Sequence, residues 1–258
     1  MTGNGPTGAP GAERRLPAAC ATTLNLMTRR TCIRDPADVT TPAPTRPRAE
    51  AARRKSSPAR VLADPRVRLG VGTAAMLVTA MAVHRNRVGP GEARAFRAVN
   101  GLPDSLYLPA WAVMQLGTLG AAPAAAGLAW LAGDGELASR LLAGGTGTWA
   151  VSKLVKQIVR RPRPETLLPG TRGRGRDAAG LGYLSGHAGV AVALGAAALP
   201  RLGPVGRALT LSAVPAVGLT RVYVGAHLPL DIAGGVALGL AVDGAVALVT
   251  SSARHGCR

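Results

Sequence analysis

Six apolar stretches in succession constrain this chain more than any other feature. They run over Leu69–Val83, Ser105 to about Ala132, Leu137–Val159, and about 186–200, 205–220 and 230–250. Each is about 15–28 residues long, against the roughly 20 that an α-helix needs to cross a bilayer core. A helix that is apolar on all sides has to be buried on all sides, and six such helices are hard to bury in water. A soluble all-helical bundle is the competing arrangement. The expected fold is therefore all-α: a polytopic membrane bundle of about six transmembrane helices over residues 63–251. Composition agrees, because aromatic residues are only 3% of a chain that is 47% hydrophobic. The apolar content is Ala, Val and Leu, and 34 glycines suit close helix packing in lipid. Gly133-Asp134-Gly135 reads as a tight turn, and GEARAFRAVNGLPD, after the first run, as a polar amphipathic stretch.

The formal net charge is +18, which calls for an anionic partner: nucleic acid, anionic head groups or phosphate substrates. Thirteen of the 31 Lys and Arg lie in the first 68 residues, with only five acidic residues beside them. Residues 1–62 read as a disordered Arg/Pro-rich tail that buries too little apolar surface to fold. An Arg-rich, acid-poor leader also resembles a transit peptide; a basic tail lying on anionic head groups is the simpler reading. The tail lacks aromatic interleaving and any recognisable nucleic-acid module, so no nucleic-acid partner is expected. Residues 252–258 read as a short C-terminal tail. Cys20, Cys32 and Cys257 have neither metal-ligand spacing nor the pattern of a disulfide framework.

Three segments at the ends of apolar runs carry chemistry. The first places Lys156 seven residues before Arg163-Pro164. Such cations at a helix end can be interfacial anchors, but Pro162 and Pro164 are expected to end the helix and send the chain out extended. The second is Ser185-Gly186-His187, directly ahead of the fourth run. Ser is a good N-cap, and the free N–H groups of a helix start attract an anion; a capping Ser beside an incidental His is the alternative. The third is Arg221 with His227 and Asp231. Pro229 fits a first helical turn, leaving His227 just ahead of the helix and Asp231 inside it, within reach of an imidazole nitrogen. A carboxylate that fixes a histidine tautomer is the base-and-orienter arrangement of nucleophilic sites. Alone, Asp231 also reads as an acid favouring the helix dipole.

The combination is far more specific than its parts. If the helices alternate direction, the end of run three, the start of run four, the end of run five and the start of run six share one membrane face. His84 and His255 belong to no motif.

With these residues, the chain resembles the type 2 phosphatidic acid phosphatase family, which shares its site with vanadium haloperoxidases. The family pattern is Lys-x6-Arg-Pro, then Pro-Ser-Gly-His, then Ser-Arg-x5-His-x3-Asp. Leu184 stands here in place of Pro and Thr220 in place of Ser; the Leu is expected to loosen the loop before the helix. The resemblance implies a metal-independent lipid phosphate phosphatase with no cofactor. In it Lys156, Arg163 and Arg221 bind phosphoryl oxygens, and Ser185 and the Gly186 N–H complete the cradle. His227 becomes phosphorylated, Asp231 stabilises its imidazolium, and His187 protonates the leaving oxygen. Phosphatidic acid, phosphatidylglycerol phosphate and polyprenyl phosphates or diphosphates all suit such a site; the Ala-, Arg- and Gly-rich composition points to a high-GC bacterium and to polyprenyl phosphate recycling. The positive-inside bias rests on the tail itself, so the expected arrangement, site outside and tail in the cytoplasm, follows the resemblance. A non-catalytic membrane protein or transporter with charges lining a pathway is the rival reading.

Overall fold

The computed structural model describes residues 63–175 and 180–256; the expected disordered tail over 1–62 lies outside the described residues. Within them the chain is helical and contains no strand. The helices are α1 (Pro65–Val83), α2 (Pro90–Asn100), α3 (Tyr107–Met114), α4 (Ala121–Leu131), α5 (Gly135–Val159), α6 (Pro164–Leu167), α7 (Gly186–Ala198), α8 (Pro204–Tyr223) and α9 (Pro229–Gly256). Residues 252–256, read from sequence as a tail, continue α9.

Local chemistry sets most of these boundaries. Pro65 opens α1 behind Asp64, whose carboxylate accepts from the Arg66 N–H. Gly133, at φ +81°, turns the chain into α5, where Asp134 accepts from the Leu137 N–H; the turn expected there is present. The exit from α5 differs from expectation. Arg160 closes the helix in the left-handed region, φ 52°, before either proline is reached. Pro162 and Pro164 instead accompany an extended Arg163 and start α6.

The second apolar run is not one helix. It forms two pieces, Asp104–Gly117 and Ala121–Leu131, bent by 67°. Thr118 is extended at the bend and its hydroxyl donates back to the Gln115 carbonyl. The bend seats Gly117 on the start of α7, where a Cβ would lie 2.5 Å from the His187 carbonyl oxygen. Among the described residues, two helices, α1 and α9, are long and apolar enough to cross a membrane, or three if the bent pair is one span. The other runs fall short for identifiable reasons. At 1.5 Å per residue α7 is about 20 Å long, α5 carries Arg140, Lys153 and Lys156, and α8 carries Arg207 and Arg221.

Helix α7 is the centre of the bundle. Nine of its thirteen residues are buried and none is exposed, and α5, α8 and α9 pack around it. Its crossing with α9 depends on the absence of side chains. A Cβ on Gly189 would stand 3.0 Å from the Gly235 carbonyl oxygen, and Gly239 abuts the Gly189 carbonyl oxygen. Glycines four apart, as Gly235 and Gly239 are, form the groove that lets two helix backbones meet. Outside, Leu77, Met81, Leu128, Leu131, Ile158 and Leu209 are exposed, an apolar surface of the kind that meets lipid or a partner. A charged cluster lies inside the bundle where Asp243 of α9 pairs with Arg68 Nε at 2.8 Å and Arg140 Nη2 at 3.1 Å, joining α9 to α1 and α5.

Candidate active site

The three motifs meet because their flanking segments bond to one another. Lys156, in the last turn of α5, donates to the carbonyl oxygens of Leu181 and Gly182 at 3.0 and 3.1 Å. Arg163 donates through Nε to the Gly180 oxygen at 3.1 Å and through Nη1 to the Ala226 oxygen at 2.9 Å. Ser185 is the N-cap of α7, its hydroxyl accepting from the Ala188 N–H. The Ser185 N–H donates to the Asp231 carbonyl oxygen at 2.9 Å, which links the second motif to the third. Helix α9 begins at Pro229, with His227 ahead of it and Asp231 in its first turn, as the proline position implied.

Lys156, Arg163, Gly186, His187, Arg221 and His227 line one cavity of about 180 Å³, together with Gly117, Thr118 and Trp149. Ser185 and Asp231 are fully buried behind this wall. Arg221 donates through Nη1 to Met114 Sδ at 2.9 Å. A larger apolar groove of about 760 Å³, floored by Ala191 and Leu194 of α7 and flanked by Leu128 of α4 and Val214 of α8, reaches the same place: Thr118 lines both.

His227 is 3% exposed. Its Nδ1 stands 3.8 Å from Asp231 Oδ2, ion-pair reach but longer than a hydrogen bond. Asp231 is held elsewhere as well: Oδ2 accepts from the Leu228 N–H and Oδ1 from Arg161 Nη1, both at 2.8 Å. Burial pushes the His227 imidazole down to about 3, against the pull of Asp231 and helped by Lys156 and Arg221. The ring is therefore neutral at physiological pH, the state in which it has a lone pair to give.

Two residues missed in the sequence complete this arrangement. Arg161 has no exposed surface. Besides Asp231 it binds Glu92 of α2 through two bonds, Nη1 to Oε1 at 3.2 Å and Nη2 to Oε2 at 3.0 Å, and Glu92 Oε1 also accepts from the Leu230 N–H at 3.1 Å. Burial alone would lower the Arg161 pKa, but the Glu92 and Asp231 carboxylates more than reverse it and it stands above its usual value. The available signal was Glu92 itself, the one acid in α2 beside Arg94 and Arg97. Leu184 also departs from expectation. It has no exposed surface and packs with Val83, Tyr183 and Leu238, so it anchors the loop before α7 instead of loosening it. Among the described residues, no three His, Cys, Asp or Glu side chains stand together as a metal site.

Residues 137–254, which contain all three motifs, match the PAP2 superfamily. Two strains of Mycobacterium tuberculosis supply relatives named decaprenylphosphoryl-5-phosphoribose phosphatase. Each is 36% identical over 97 residues, 38% of this chain and 52% of the relative. The chain thus spans about half the length of the curated relatives it matches. In fold, this chain is similar to the transmembrane PAP2 type phosphatidylglycerolphosphate phosphatase of Bacillus subtilis, with a TM-score of 0.55 and 21% identity over 70% of this chain and 96% of that one. It is also similar to Aquifex aeolicus LpxE, with a TM-score of 0.55 and 19% identity over 60% and 93% of the two chains.

Proposed function

We propose that the protein is a multi-pass membrane phosphatase that hydrolyses a lipid phosphomonoester or diphosphate without a metal, through a phosphohistidine at His227. The observation that carries this reading is the convergence of Lys156, Arg163, Arg221, His187 and His227 on one small cavity. Arg guanidinium groups donate paired hydrogen bonds to phosphoryl oxygens, and the Gly186 N–H at the start of α7 adds a helix terminus. Three cations supply the charge stabilisation that a metal gives elsewhere.

In the first step the His227 lone pair forms a bond to phosphorus. The bond to the leaving oxygen breaks, and His187 gives that oxygen its proton. The bound phosphate favours a protonated His187, since its negative charge offsets the neighbouring cations. In the second step His187 takes a proton from water, the hydroxyl oxygen bonds to phosphorus, and the electron pair of the P–N bond returns to His227. Asp231 stabilises the imidazolium between the steps, and the buried Ser185 hydroxyl supports the cradle by holding the start of α7.

An amphiphilic substrate is supported by the apolar groove that meets the cationic cavity at Thr118. The relatives named for a decaprenylphosphoryl sugar phosphate and for phosphatidylglycerolphosphate favour the same class, with phosphatidic acid and polyprenyl diphosphates as further members. The site faces the extracytoplasmic side, the basic tail stays in the cytoplasm against anionic head groups, and six helical runs cross the bilayer, the short α7 sheltered by its neighbours. The test is phosphate release from these lipids by purified protein in detergent with chelator present. Activity is expected without divalent metal, with loss of at least about 1,000-fold in His227→Ala. Full activity in that variant sinks the mechanism, and a strict metal requirement sinks the class.

A further inference from the structure

We propose that Glu92 and Arg161 are positioning residues that hold Asp231 and set the charge of the group facing His227; this rests on the phosphohistidine reading. Three separate segments meet at the Arg161 guanidinium: α2 through Glu92, the 160–163 exit from α5, and the first turn of α9 through Asp231. All three side chains are at least 93% buried, with exposures of 7%, 0% and 0%, so solvent does little to screen their charges. Glu92 lies ahead of the segment that matches the superfamily, on a helix with no motif of its own.

The charge balance explains why an arginine and a second acid are both needed. Asp231 alone would place one negative charge beside His227. Arg161 fixes the Asp231 carboxylate geometrically, with one oxygen on Nη1 and the other on the Leu228 N–H, but it also cancels that charge. Glu92, with two bonds to the same guanidinium, returns the trio to a net charge of −1. A neutral His227 then faces a net negative group, and the imidazolium of a phosphohistidine makes the buried set neutral. Lys156 and Arg221, the cations that reach His227 from α5 and α8, are matched by the phosphoryl group they bind. Glu92 also accepts from the Leu230 N–H, so it steadies the first turn of α9 on which Asp231 rides.

The test uses the full-length protein in detergent micelles of phosphatidic acid and, separately, undecaprenyl diphosphate. Inhibition by vanadate serves as an independent measure of phosphate binding. Glu92→Gln is expected to lower kcat about 10- to 100-fold while KM and vanadate affinity stay within about threefold of wild type, because the cations of the cavity are untouched. Arg161→Gln buries two unpaired carboxylates and is expected to lose both kcat and thermal stability. The double variant Glu92→Gln/Arg161→Gln restores the net charge of −1 with a neutral hydrogen-bonding pair. It is expected to recover kcat at least about fivefold over the worse single variant, a coupling that independent sites do not give. Wild-type kcat in Glu92→Gln overturns the proposal, as does a fall in vanadate affinity equal to the fall in kcat. A double variant no better than the worse single variant also overturns it, even if one single variant fails to fold. Wild-type protein that neither releases phosphate nor binds vanadate overturns the phosphatase reading with it; active wild type with unresponsive variants overturns this proposal alone.

Discussion

Helix α9 carries two buried carboxylates, and arginine holds each of them, yet only one of the two lies beside a cavity. Asp231 binds Arg161, which binds Glu92; Asp243 binds Arg68 and Arg140. At 1.5 Å per residue the two aspartates are about 18 Å apart along the helix. The first cluster has two acids to one base and ends on His227; the second has two bases to one acid and ends on nothing that reacts. Burial and ion pairing are thus common to both, and neither by itself marks a functional group. What separates them is the neighbour: a neutral, desolvated imidazole on a cationic cavity in one case, and the packed backbones of α1, α5 and α9 in the other. Buried ion pairs are weak evidence for net stability but are strongly destabilising to break, so the two clusters should fail in different ways.

The same isosteric change at the two positions gives the sharpest contrast. Asp231→Asn is expected to lower kcat for lipid phosphate hydrolysis by about 1,000-fold, since an amide can hold neither the imidazole tautomer nor the imidazolium. Steady-state rates near wild type would make the two clusters equivalent and remove Asp231 from the mechanism. Asp243→Asn, by contrast, is expected to leave kcat within about twofold while lowering stability by about 3 kcal/mol, read as thermal unfolding in detergent. A large kcat loss there, with stability unchanged, would reverse the assignment.

The smallest effect is a pH slope at the catalytic end. The folded His227 has its pKa depressed to about 3 from 6.5, so below pH 6.5 the unfolded chain takes up a proton that the folded one refuses. Stability should therefore be flat with respect to His227 above pH 6.5 and fall on acidification towards about 3, by at most about 1.4 kcal/mol per pH unit. Comparing unfolding of wild type and His227→Gln across pH 4–8 isolates this share; identical slopes would mean that the ring is not held neutral by burial.

Much of the site was legible because its residues announce themselves by type and spacing. Pro229 marked the first turn of α9, and with it the relation of His227 to Asp231. Lys156, Arg163, His187 and Arg221 lie at run ends, and those ends converge. Arg161 was hidden by its neighbours, since in Arg160-Arg161-Pro162-Arg163 only tertiary contact separates a buried clasp from a solvated loop charge. Glu92 had an adequate local explanation as an acid in the first turn of α2, which concealed its long-range bond. The bend in the second run was also missed, because an apolar run with no charge at its break reads as continuous until another backbone is seen to press against it. Gly117, Thr118 and Gly120 were the punctuation, and their meaning lay in α7.

Gly117 carries no charge, proton or nucleophile, yet it sets how near the elbow of the second run comes to His187. Any side chain there would have to displace a peptide carbonyl at the head of α7, and the cavity wall would move with it. A random-mutagenesis screen for lost activity would therefore rank Gly117 among the reactive residues, and a chemist sorting the hits by functional group would discard it. Its role is that of a spacer of zero thickness: the tolerance of the site is written into a position where nothing is present to be mutated away, only something to be added.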